Sequence, residues 1–110
     1  MNSLFRPKTL SATDLDSFHN DGYIFFPDAL KDDARETLVD EIHNIDDVRR
    51  YLEVLDDKSA EPQSYFVRPW NDRGPVGDQL IDDPFVTALL HSTIGPDYHF
   101  CHSALNLAPR

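Results

Sequence analysis

The sequence predicts an α+β fold, a helical layer laid over a few short strands. Three observations carry that prediction. A capped acidic segment stops at Gly22, and apolar residues then recur every three or four positions from Ala34 to Leu55. Between and after these stretches lie runs without helical spacing, at 23–26, 64–67 and 98–108.

The first helix is expected over 12–21. Ser11 or Thr13 caps it, because either hydroxyl accepts from an otherwise orphaned backbone N–H, and Asp14 and Asp16 suit the positive end of the dipole. Leu15 and Phe18 share a face at i, i+3 spacing. Gly22 supplies the left-handed conformation that ends helices at low cost. Tyr23-Ile24-Phe25-Phe26 then reads as an apolar strand closed by Pro27. After the connector 28–31, Asp32 or Asp33 opens helix 33–55, in which Ala34, Leu38, Ile42 and Ile45 form a stripe. Val48, Tyr51, Leu52 and Leu55 continue its period beyond Asp46-Asp47, as one long helix or as two with a cap between them.

Residues 56–63 form a polar loop, and 64–67 a short strand ending before Pro69. The stretch 70–77 is dense in breakers and reads as loop. Asp83 is a good N-cap for helix 84–92, with Pro84 at the first helical position, where its missing N–H is harmless. The chain is then extended over 98–108. The outer strands, 23–26 and 98–108, lack other obvious neighbours and are expected to pair with each other.

At 110 residues the chain is at most one domain, and 40% hydrophobic content with 11% aromatics is globular in character. A net charge of −10 argues against nucleic acid and against an anionic membrane surface. Cys101 is the single cysteine, so an internal disulfide is excluded and a reducing cytoplasm is expected. The first eight residues lack the apolar core of a signal peptide, and no run approaches the ~20 apolar residues of a membrane span.

His19-Asn20-Asp21 has the His-x-Asp spacing that binds iron on a strand. It lies on a predicted helix, where successive residues turn by about 100°, so residues i and i+2 diverge. The expectation is a pair of surface residues near a helix end. On an extended chain His99 and Cys101 face one way and His102 the other, so the three do not converge. No second cluster completes a zinc site, and Cys101 has no nucleophile signature. His43 and His91 fall on predicted helices as surface or rim residues. The pairs Asp32-Asp33, Asp46-Asp47, Asp56-Asp57 and Asp82-Asp83 lack the alternating oxygen ligands and glycine of a calcium loop; helix starts and solvated loops account for them.

The order from Leu10 to Pro27, an acidic helix followed by Asp21-Gly22-Tyr23 and an apolar strand, resembles the N-terminal entry of the phytanoyl-CoA dioxygenase family. Asp82–Leu90 is similar to that family's later helix, Ile94-Gly95-Pro96-Asp97 to the turn after it, and Ser103–Pro109 to the strand leading into the iron site. The resemblance implies a non-haem Fe(II)/2-oxoglutarate-dependent dioxygenase that hydroxylates a small organic or acyl substrate. The implied fold is a double-stranded β-helix, a jelly-roll, of which residues 1–110 hold the helical layer and first strands of an incomplete barrel. Such barrels need about eight strands. In relatives the position of Asn106 often points into the barrel near 2-oxoglutarate, where an amide donates to a carboxylate without adding charge. The alternative for Asn106 is a strand-end residue satisfying backbone groups.

The family's iron motif is expected shortly after Arg110, and the second histidine and the basic residue for 2-oxoglutarate much later. The chain therefore reads as an N-terminal portion truncated before the iron-binding motif, with no catalytic or metal residue of its own and inactive alone. Two rivals stand beside this. One is a small acidic protein-binding module without catalytic activity, steered to a basic partner by its charge. The other is a short relative that keeps the helical layer for protein contacts.

Overall fold

The computed structural model describes residues 2–56 and 65–108. Of the expected loop 56–63 all but Asp56 lies outside them, as does Ser64, the first residue of the expected strand 64–67, and Asp56 itself is helical. The described residues form a mixed fold of helices and one two-stranded antiparallel sheet.

Helix α1 spans Ala12–Asp21. Ser11 is its N-cap, accepting from the Asp14 N–H at 3.1 Å while the Asp14 carboxylate accepts from the Ser11 N–H at 3.0 Å. That backbone hydrogen bond from Ser11 chiefly holds the Asp14 pKa below its ordinary value, with Lys8 adding a smaller attraction. Gly22 ends the helix in the left-handed region at φ 84°, and its N–H donates to the Phe18 carbonyl.

The following segment, 23–26, alternates outward Tyr23 and Phe25 with half-buried Ile24 and Phe26. It joins no ladder among the described residues, which corrects the strand expected there. The main-chain pairing nearby is made instead by residues 4–6 against 29–31. The Arg6 N–H donates to the Ala29 carbonyl at 2.8 Å and the Lys31 N–H to the Leu4 carbonyl at 2.9 Å. Phe26 and Phe5 both pack on Phe85, at ring distances of 5.6 and 4.8 Å.

The long apolar stripe is carried by two helices, α2 (Asp32–His43) and α3 (Asp46–Asp56), broken at Asn44-Ile45. Asp32, Asp46 and Asp47 sit in first turns and pair with Arg35, Arg49 and Arg50 at i, i+3. Ile45 and Val48 are buried with Val67 and form the main core, against which Ile42, Trp70, Leu105 and Leu107 pack. Leu52, placed on the stripe by its spacing, is 38% exposed.

Strand β1 (Tyr65–Val67) pairs with β2 (Leu105–Leu107), with Val67 opposite Leu105 and Phe66 opposite Asn106. This corrects the expected pairing of 98–108 with 23–26. The reason lies in α3, whose Val48 buries Val67 and so draws β1 and β2 onto one core. Residues 98–104 carry no regular structure.

The breaker-rich stretch is also ordered. A 3-10 turn covers Asn71–Arg73, and a short helix, α4, covers Pro75–Gln79. Glu41 of α2 holds α4 in place, its carboxylate accepting from the Val76 N–H at 3.0 Å and the Gly77 N–H at 3.1 Å. Gly74 lets the carboxylate approach, since a Cβ there would lie 2.1 Å from Glu41 Oε1. Helix α5 (Pro84–Thr93) begins at the Asp83 cap and packs on α1.

Candidate functional site

The N-terminal end of α5 holds the fold's one fully buried carboxylate among the described residues. Asp83 has no exposed surface. Its Oδ1 accepts from Ser3 Oγ at 2.7 Å and the Phe85 N–H at 2.9 Å, and its Oδ2 from the Leu4 N–H at 2.7 Å and Gln79 Nε2 at 3.2 Å. Burial is the largest single influence and pushes its pKa up. The four hydrogen bonds together outweigh burial and hold the carboxyl below the ordinary carboxylate value. A charge so fully satisfied is a clasp between the N-terminal segment and α5, with no lone pair left over for chemistry.

A cleft opens between α4, α5 and the chain 98–103. Its volume is about 410 Å³, and Trp70, Leu80, Ile81, Val86, Leu90 and Phe100 supply most of its apolar wall. Asn71, His99, Cys101 and Ser103 add the polar groups. The Ser103 hydroxyl accepts from the backbone N–H of Trp70 at 3.1 Å and of Asn71 at 3.3 Å, and donates to Asn71 Oδ1. This node ties the 3-10 turn to the strand that follows. Size and apolar lining match small-molecule sites, which commonly occupy about 300–1,000 Å³.

The residues singled out by sequence are distributed across the fold. Asn106 lies on β2, exposed, on the face away from the core, while Leu105 and Leu107 pack inward. His19 and Asp21 are on α1 and exposed, and the His19 ring packs edge-on to Phe18 at 5.6 Å. His99 and Cys101 both line the cleft, but Tyr98 and Phe100 line it too, so the irregular chain here does not sort its side chains onto two sides as an extended strand would. His43 and His91 sit in the last turns of α2 and α5, and His91 lies 5.7 Å from the Tyr98 ring. Among the described residues no three His, Cys, Asp or Glu side chains converge as a metal site.

Sequence reasoning missed the cleft and the Asn71–Ser103 node. The available signal was local: Trp70, Tyr98 and Phe100 are large apolar residues standing in stretches dense in turn formers. No helix among the described residues is long and apolar enough to cross a membrane. Compared with known proteins, the chain matches no family model, no curated protein and no solved structure.

Proposed function

We propose that residues 1–110 are the N-terminal portion of a cytoplasmic non-haem Fe(II)/2-oxoglutarate-dependent dioxygenase of the phytanoyl-CoA dioxygenase type. The substrate would be a small organic or acyl molecule. The observation that supports this best is a sheet covered on one side only. Leu105 and Leu107 face the helical layer, while Asn106 and Phe66 stand on the open face, where an oxygenase barrel would continue. The order of elements supports it as well: a capped helix and left-handed Gly22, the Asp83-Pro84 helix, and a turn at Gly95 with φ 89°.

The described residues do not fit the metal. His19 and Asp21 diverge on a helix, and no other set of three donors converges. The reading assigns the iron ligands to chain beyond Arg110, and no chemical step is derived from the residues present. Asn106 is the one position in this chain assigned to 2-oxoglutarate, its amide donating to a carboxylate from the open face.

The test is the reading frame downstream of Arg110, followed by an assay of the protein it encodes. The expected result is His-x-Asp or His-x-Glu within a few tens of residues and conversion of 2-oxoglutarate to succinate. A stop codon followed by unrelated sequence would overturn the proposal in favour of an acidic protein-binding module.

A further inference from the structure

We propose that the cleft beside Trp70 binds an uncharged, apolar small molecule bearing a carbonyl oxygen, and that the Asn71 side-chain amide is its hydrogen-bond donor. The inference stands apart from the oxygenase reading, because it concerns only residues of this chain and needs no metal.

The charge of the lining selects the ligand's body. Asp, Glu, Lys and Arg make up 27% of the sequence, yet none is among the described residues that line the cleft. A charged ligand would lose its hydration there and gain no counter-charge. The apolar wall instead rewards an aliphatic or aromatic body in proportion to the area it buries.

Hydrogen-bond accounting selects the ligand's polar end. Ser103 Oγ accepts two backbone N–H bonds, from Trp70 and Asn71, so both of its lone pairs are used. Its single proton therefore goes to Asn71, and the Asn71 atom that receives it is the amide oxygen. This fixes the amide's orientation and leaves the NH2 as the free half of the side chain. Asn71 is only 8% exposed, and its NH2 donates to no group among the described residues. The NH2 is not one of the fully buried side-chain atoms, so on a residue that lines the cleft it stays reachable by an acceptor from outside the protein. A carbonyl oxygen held in the cleft supplies the acceptor that the protein does not.

Trp70 is the only tryptophan and lines the cleft, so its fluorescence reports occupancy directly. The experiment titrates the 110-residue protein with 2-decanone, with decanoate and decylammonium as charged controls of equal length. The expected result is a saturable change in Trp70 emission with 2-decanone, with a Kd on the order of 0.1 mM. Each charged control should bind at least tenfold more weakly. Asn71→Asp keeps an acceptor for Ser103 but removes the donor, and should weaken 2-decanone about tenfold or more. Leu90→Phe narrows the cleft and should weaken it similarly, with circular dichroism confirming that both variants keep their helices.

Three results would overturn the proposal. One is no saturable response to 2-decanone; another is decanoate binding as tightly as the ketone. The third is a Leu90→Phe variant that binds 2-decanone as tightly as the wild type, which would place the ligand outside the cleft.

Discussion

Asp83 joins residues that lie far apart in sequence but share one charge. Replacing it by asparagine swaps one acceptor oxygen for an NH2 that faces donors. Asp83→Asn is expected to destabilise the fold by about 3 kcal/mol, read as a lower urea midpoint with an unchanged slope. The pH dependence follows from the sign of the shift. A carboxyl whose pKa is lower folded than unfolded contributes fully above the ordinary carboxylate value. That contribution is lost as pH falls through the lower, folded value. The wild-type and Asp83→Asn urea midpoints should therefore converge as the solution is acidified below the carboxylate range. Asn106 carries a separate prediction at this scale. In the extended enzyme, Asn106→Ala should raise the KM for 2-oxoglutarate roughly tenfold, the loss of one charge-assisted hydrogen bond, with a smaller effect on kcat. An unchanged KM would remove Asn106 from the site.

The elements divide by whether their determinants are local. Helices α1 and α5 were legible because Ser11, Gly22, Asp83 and Pro84 are punctuation written within a few residues of each helix. Helix α4 was not, since Gly74-Pro75-Val76-Gly77 reads as loop and its stabilising carboxylate arrives from Glu41, on another helix. A double-mutant cycle tests that explanation. Glu41→Ala and Gly74→Ala should each destabilise by about 1–2 kcal/mol. The double variant should be little worse than either single one, because both remove the same contact. Additive effects would mean that Gly74 matters for some other reason. Strand partnership was equally out of reach of local signals. Aromatic and β-branched side chains mark 23–26 and 65–67 alike, and only the position of Val48 beneath Val67 decides which of them β2 joins. The candidate cleft depends on the same kind of distant meeting, between Asn71 and Ser103.

The whole molecule is more open than its length requires. Its radius of gyration is 16.6 Å, where a compact chain of this size has about 13 Å. It exposes 8025 Å², where a folded monomer of its mass exposes about 6200 Å². Part of the excess is aromatic: Tyr23, Phe25, Phe66 and Phe100 are each about half exposed or more. The chain alone is therefore expected to melt over a broad range and to self-associate in analytical ultracentrifugation. Because a net charge of −10 opposes association, added salt should promote it. A chain extended through a full barrel should give a sharp melt. A cooperative melt from a monodisperse monomer of the short chain would count decisively against the oxygenase reading. The short chain is also expected to produce no succinate from 2-oxoglutarate with added Fe(II), which a coupled assay checks directly.

The Asp83 clasp also has a timetable. Its partners Ser3 and Leu4 leave the ribosome first, and Asp83 follows 80 and 79 residues later. At roughly 5–20 residues per second, the N-terminal segment waits on the order of 4–16 s before its anchor exists. During that interval Leu4 and Phe5 have only the pairing with residues 29–31 to hold them and lack Asp83 and Phe85, open to a nascent-chain chaperone or a protease. Chains arrested before Asp83 emerges should be clipped near residues 2–6, and chains arrested well after it should resist.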